Sequence, residues 1–394
     1  MDRPALEVIQ NDSGITVKSK YGLTWQVTFC GAKGGGISDF RLPADSPNLT
    51  AGLFYFFYMG AMENDDALPL LQAKQLTPHG FKDQNREKAK GRSNAQCVPE
   101  HMRVVSQSPD QVVIEVSGWG TGWNLIDPQS PNEKVIEFAS RYTLHSDRIQ
   151  FEGKVKWVYG KGTAMADLIS GVRLLPGTVL HPVYLIADGS RSELNLTSSM
   201  GDDLPDNADY PLEFEVWLKT GYPLRLRSVY FPETFADPRT YGLERPWQLD
   251  WMTEVLFRGD AWKRGNTYPK EEWIRFEYEC VLPVELGKRC PPIIALQSPE
   301  YEMEGISEPI YRPGDTVTLS AEAVNMEGEI ISAEHYCWEV YTNKDVNLLR
   351  DAVGRSIHFK IPTDVKGKFL YIVVTVADAA GVSSKEYALI QLKH

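Results

Sequence analysis

Patterned cysteine is missing from this chain. Its five cysteines (Cys30, Cys97, Cys280, Cys290 and Cys337) are odd in number, scattered, and never spaced as CxxC. That excludes a cysteine-based zinc site and a dense disulfide scaffold. Cys280 and Cys290 stand near enough in sequence to close a small loop, which would still leave at least one thiol free; mostly reduced or buried thiols are the expectation. Long apolar runs are also missing, so no transmembrane helix is expected. The opening MDRPALEVIQNDSG lacks the apolar stretch of a signal peptide. A secreted or periplasmic location is favoured where such a peptide has been removed. Positive charge is in deficit: 41 Lys and Arg against 53 Asp and Glu leave a formal charge of −12. Nucleic-acid partners need clustered cations and are excluded on that ground. HExxH, GxSxG and Cys/His clusters of zinc spacing are all absent. The acidic stretches Glu63-Asn64-Asp65-Asp66 and Asp202-Asp203 with Asp206 offer oxygen ligands but lack the length and terminal Glu of an EF-hand. No metal ligand is assigned, and calcium is the one cofactor left open.

Helical periodicity is scarce as well. Only Arg239 to Arg258 and the 61–90 region allow short helices. What is present instead is period-two alternation between Gly, Pro, Asn and Asp clusters, which reads as strand after strand. Examples are QVVIEVSG, RIQFEGKVKWVY, EFEVWLK, EEWIRFEYECVL, TVTLSAEAV and FLYIVVTVAD. The fold class is all-β: a large antiparallel sandwich followed by a smaller one. One hairpin can be placed in register. A turn at His145-Ser146-Asp147-Arg148 pairs Leu144 with Ile149 and Tyr142 with Phe151 on an apolar face. The other face then pairs Arg141 with Glu152 and Glu137 with Lys156, opposite charges that stabilise a ladder mildly. Arg141 is therefore read as half of a structural ion pair.

A composition shift falls near Pro283 to Pro292 and divides the chain into residues 1–290 and 291–394. The second part runs YRPGDTVTLSAEAV, HYCWEVYT, SIHFKIP and FLYIVVTVADAAGVSSKEYALIQL. Pro313-Gly314-Asp315 turns into a strand and Trp338 sits mid-strand. These residues resemble an immunoglobulin-like module of the PKD type, often appended to secreted carbohydrate-active enzymes. The resemblance implies a buried Trp338 and a spacer or docking role.

The first part holds FCGAKGGGISDF, with Gly34, Gly35 and Gly36 in a row. A phosphate loop would need a helix directly after the glycines, and ISDFRLP is strand-like. The run is a hairpin turn that needs positive φ. The hairpin ITVKSKYGLTWQVTFCGAKGGGISDFRLP is similar to the start of galactose-mutarotase-like super-sandwich domains. That resemblance implies two large antiparallel sheets that bind sugar along one face. The epimerase site motif is not found, since VLHPVY around His181 lacks its asparagine, so mutarotase activity is not expected. Arg191-Ser192-Glu193-Leu194 resembles a strand of jelly-roll alginate lyases, but Asn195 replaces that strand's second arginine and its partner blocks are absent.

A carbohydrate-active protein follows as the expectation, with a polysaccharide or oligosaccharide as partner. Polysaccharide lysis by β-elimination beside a uronate carboxylate needs a base and a cation, and neither nucleotide nor obligate metal. The catalytic candidates are His181 or Tyr159 for proton transfer and Arg173 for charge neutralisation. Trp119 and Trp123, in the glycine-rich SGWGTGWN, are candidates for stacking on sugar faces. His79, in the long stretch 60–97 without alternation, and Lys161, just after Tyr159, complete the substrate-binding set. A glycan-binding or cell-surface structural protein without catalysis, and a glycoside hydrolase using a carboxylate pair, remain the alternatives.

Overall fold

A computed structural model of the chain describes residues 5–12, 14–20, 23–31, 35–63, 95–96, 102–120, 136–158, 164–175, 178–187, 190–193, 213–230, 253–260, 272–282, 290–297, 310–325, 327–342, 346–367 and 369–394. The chain opens with β1 (Leu6–Asn11), β2 (Gly14–Ser19), β3 (Gln26–Cys30), β4 (Ile37–Arg41) and β5 (Thr50–Glu63). It continues through β6 (Ala95–Gln96), β7 (Met102–Gln107), β8 (Gln111–Gly120), β9 (Ile136–His145) and β10 (Arg148–Trp157). Next come β11 (Ala164–Leu174), β12 (Val179–Ala187), β13 (Ser190–Glu193), β14 (Glu213–Leu218), β15 (Pro223–Tyr230), β16 (Thr253–Asp260) and β17 (Trp273–Val281). The C-terminal strands are β18 (Ile293–Gln297), β19 (Ile310–Tyr311), β20 (Thr316–Val324) and β21 (Tyr336–Thr342). They end with β22 (Asn347–Val353), β23 (Ser356–Lys360), β24 (Phe369–Ala377) and β25 (Ser383–Leu392).

The all-β expectation holds. Residues 253–258, where a short helix was allowed, lie in β16, and residues 61–63 end β5; the rest of those two stretches lies outside the described residues. The β-branched and aromatic residues of TEVLF favour a strand, and pairing with β11 fixes it. The 3₁₀ turn Ala333–His335 is a short helical element among the described residues.

A seven-stranded sheet, in the order β1-β2-β3-β4-β5-β11-β16, faces a larger one. The path of the larger sheet is β22-β21-β24-β25-β12-β14-β15-β17-β10-β9-β8-β6. Alternation explains the packing. On β10, Ile149, Phe151 and Val155 point inward and are buried, while Gln150, Glu152 and Lys154 point out. Phe29 of the smaller sheet meets Tyr142 of the larger edge-on at 4.8 Å, and Tyr142 packs on Phe151 at 5.0 Å. Each large apolar side chain buried this way contributes about 1.5–3 kcal/mol. The hairpin register is the expected one, with Leu144 opposite Ile149, Tyr142 opposite Phe151, Arg141 opposite Glu152 and Glu137 opposite Lys156. Its turn is tied across the sandwich by Trp25, whose Nε1 donates to the Ser146 carbonyl at 2.8 Å.

β3 and β4 pair as antiparallel neighbours, and Gly35 between them has φ of +73°. A Cβ built there would stand 2.1 Å from Cγ1 of Val116 on β8. The turn thus presses on the opposite sheet, and only a residue without a side chain fits.

A second core gathers around Trp338 between β18-β20-β23 and β22-β21-β24-β25. Trp338 is buried, as expected, and its Nε1 donates to the Gly354 carbonyl at 2.6 Å. The large sheet continues into these strands through one pairing, His181 of β12 opposite Lys385 of β25. Lys219 and Glu386 make an ion pair at 2.6 Å beside that joint, and Lys385 pairs with Glu193.

Candidate functional site

Chemistry-bearing side chains accumulate on the outward face of the large sheet. Antiparallel pairing aligns them in rows across β8, β9, β10 and β17. One row holds Trp119, Glu137, Lys156 and Trp273; the next holds Ser117, Ala139, Lys154 and Arg275. The third holds Glu115, Arg141, Glu152 and Glu277. Two short side chains, Ser117 and Ala139, leave a depression in the middle row beside the longer side chains of the third. The result is an open trough of about 640 Å³ that runs across the strands. From β8 to β17 it spans three strand spacings, roughly 14 Å.

The trough and the first row, which runs beside it, differ in chemistry. In the third row, Arg103 of β7 and Arg141 each lie 3.4 Å from Glu115. Arg275 reaches Glu152 at 3.5 Å and Glu277 at 2.6 Å. These pairs are largely exposed, and such pairs are each worth about 0–1 kcal/mol. A ligand carboxylate can therefore replace a protein one at little cost. In the first row, beside the trough, Trp273 is 44% exposed. Lys154 and Lys156 hold their Nζ atoms 4.8 and 5.2 Å from its ring centroid. Lys156 also pairs with Glu137 at 2.9 Å. Among the described residues Lys154 makes no ion pair and meets only the indole. Four cations (Arg103, Arg141, Lys154, Arg275) and two carboxylates (Glu115, Glu152) line the trough. It is cationic in a chain whose formal charge is −12. An exposed indole next to ammonium groups offers an apolar plane and a positive edge together.

Sequence reasoning placed Arg141 in an ion pair with Glu152. The pair forms instead with Glu115, because a third strand, β8, brings that carboxylate alongside. Trp119 lies in the first row and is half-buried. His79, Trp123, Tyr159 and Lys161 lie outside the described residues. Tyr159 and Lys161 follow β10 in the chain at the end that carries Lys156. His181 is on β12, six strand spacings from β8 along the sheet path, on the order of 29 Å. Arg173 is on β11 of the other sheet, opposite Glu254 and Gly52. Trp119, His181 and Arg173 are thus not gathered into one site: β11 and β12 are consecutive in the chain but enter different sheets.

Trp273, Lys154 and Arg275 were missed. Alternation in RIQFEGKVKW and EEWIRFEYECV does place them on outward faces, but their adjacency depends on a long-range pairing. Cys280 and Cys290 do not form the small loop: both are free and buried, Cys280 in the main core and Cys290 against Leu180 and Trp217. Burial raises both thiol pKa values, that of Cys290 to about 11. Among the described residues no group of His, Cys, Asp and Glu is arranged to hold a metal ion. Among them, too, no helix is long and apolar enough to cross a membrane.

No family model matches the chain, and no curated protein matches it. Solved structures do resemble it in architecture. The Slr1438 protein from Synechocystis sp. PCC 6803 is 12% identical, with a TM-score of 0.40, covering 72% of this chain and 97% of that one. Galactose 1-epimerase from Lactobacillus acidophilus NCFM is 10% identical, with a TM-score of 0.36, covering 71% and 98%. A heparinase III is 9% identical, with a TM-score of 0.34, covering 90% of this chain and 42% of that one. Likeness at this level assigns no reaction.

Proposed function

We propose that the protein is carbohydrate-active and holds a uronate-containing glycan in the trough of the large sheet. The observation that carries this reading is the excess of cations over carboxylates beside an exposed Trp273. Sugar rings offer C–H faces to an indole, and uronates offer carboxylates to Lys154 and Arg275. The finer proposal is a polysaccharide lyase acting by β-elimination. Lys154 and Arg275 neutralise the carboxylate, which acidifies the proton at the neighbouring ring carbon. A base removes that proton, the electron pair forms the ring double bond, and the glycosidic oxygen leaves. Tyr159 is the base we favour, because it follows β10 in the chain just after Lys156; His181 on β12 is three strand spacings, roughly 14 Å, beyond β17 and does not serve a sugar held at Lys154 and Arg275.

A non-catalytic glycan-binding protein is the second reading. It is favoured by one fact: the described residues lining the trough include no His or Tyr. Ultraviolet absorbance of unsaturated uronate product, followed on a panel of uronate polysaccharides, separates the two. Product formation that Tyr159→Phe abolishes supports the lyase; binding without product supports the second reading. We also propose that residues 291–394 form an immunoglobulin-like module that spaces or docks the larger part. Expressed alone, this segment is expected to give the circular dichroism of a folded β protein.

A further inference from the structure

A second charged surface lies on the same face of the large sheet, beyond β17 and away from the trough. One row across the strands reads Gln150, Glu279, Arg227 and Glu213; the next reads Arg148, Val281, Arg225, Glu215 and Tyr184. The charges interlock across these rows as one alternating chain. Arg191 lies 2.8 Å from Glu215, and Arg225 lies 3.6 Å from the same carboxylate. Arg225 is 3.4 Å and Arg227 2.7 Å from Glu213. Arg227 and Arg148 each stand 3.9 Å from Glu279. The chain begins and ends on arginine, so four guanidiniums meet three carboxylates.

Burial divides these groups by sign. The side chains of Glu215, Glu213 and Glu279 are 0%, 10% and 11% exposed, whereas Arg191, Arg225 and Arg227 are each 41% exposed. Buried carboxylates are tolerated because they are paired. In return they fix the guanidiniums, and Arg191 is held further by stacking 3.3 Å over the Tyr184 ring. Each guanidinium carries five N–H donors, and the glutamates occupy only some of them. A ligand approaching from solvent meets fixed cations with their counter-charges beneath. Exposed Asp147 stands 3.8 Å from Arg148 and competes at that end, so the surface centres on Arg191, Arg225 and Arg227. Neighbouring forks that share one carboxylate below suit an anion with three free oxygens above, which a sulfate ester has and a carboxylate lacks.

We propose that this arginine chain is an oxyanion-binding surface for sulfate esters, separate from the trough. It holds whether or not the trough takes a uronate glycan.

The test is binding of fluorescent dextran sulfate, with uncharged dextran and polygalacturonate as comparison probes. Wild type is expected to bind dextran sulfate and not dextran, despite its negative charge. The charge-neutral variant Glu213→Gln/Arg227→Gln is expected to lose about fivefold to tenfold in that affinity, the worth of one or two exposed ionic contacts. It should keep its affinity for polygalacturonate. Competition by excess inorganic sulfate would show that the small ion suffices, and its failure would show that the polymer is needed; both support the site. No binding of dextran sulfate, or equal binding by wild type and variant, overturns it. If the double variant fails to fold, Arg191→Gln replaces it, since Glu215 keeps Arg225 and Trp217 Nε1 at 3.2 Å. A threefold or smaller share of affinity should then be lost, and unchanged affinity overturns the proposal. Failure of polygalacturonate to bind at all would instead count against the trough alone.

Discussion

Replacing Trp273 with alanine separates a binding role from a structural one. The indole is 44% exposed and stands at the outward edge of β17, while Ile274 beside it in sequence is buried. Among the described residues its specific polar contacts are two ammonium groups, at 4.8 and 5.2 Å. Each such exposed contact is worth about 0.5–1 kcal/mol, so the fold should lose at most roughly 2 kcal/mol. Lys156 keeps Glu137 at 2.9 Å, which lowers that loss further. The corresponding fall in Tm is a few degrees, at about 2–4 °C per kcal/mol for a domain of 150–250 residues. Binding should suffer more. Loss of a stacked aromatic plane costs about 1–2 kcal/mol, or roughly five- to thirtyfold in Kd. The assay is calorimetric titration with polygalacturonate oligomers, with the melting curve taken on the same sample. Trp273→Phe should fall between wild type and alanine. An unchanged Kd in a folded Trp273→Ala variant would refute the placement of sugar against this indole.

Three further outcomes are expected. Gly35→Ala places a Cβ at positive φ and 2.1 Å from Val116, so it should destabilise by about 2–4 kcal/mol in a denaturant titration; Val116→Ala should restore part of that. Burial, partly offset by Lys219, raises the pKa of Glu386 above 4.5. The folded state thus holds this proton more tightly, and the group's contribution is fully present below about pH 4.5. It is lost as pH rises through the raised pKa, so Glu386→Gln should flatten that part of the stability-against-pH curve; an identical slope would contradict it. Cys290, with its thiol near 11, is about a thousandth thiolate at pH 8. Iodoacetamide mapping of native protein should label the half-buried Cys30 and Cys337 before Cys280 and Cys290, and peptides linking the latter two should be absent.

The parts legible in the sequence were those decided by near neighbours. The β9–β10 register was fixed because a four-residue turn and two mutually consistent faces allow one alignment. Gly35 was legible as a positive-φ turn, although its pressure on Val116 was not, since β8 arrives some 80 residues later in the chain. Arg141 exposes the limit: within its hairpin Glu152 is the obvious partner, and only the third strand supplies Glu115. The trough has the same origin, because Lys154 and Trp273 become neighbours through β10–β17 pairing across more than a hundred residues. Arg173 and His181 were expected in one site on the chemistry it needs, a cation and a base. Alternation cannot say which sheet a strand joins, and β11 and β12 join different ones.

The central claim is that the cationic trough recognises an acidic glycan, and affinity electrophoresis tests it most directly. Wild type and Lys154→Gln/Trp273→Ala are run through gels cast with polygalacturonate or with uncharged dextran. The account predicts that wild type is retarded in the polygalacturonate gel alone, and that the variant, folded by circular dichroism, migrates freely in both. Equal mobility of the two proteins in polygalacturonate would contradict it.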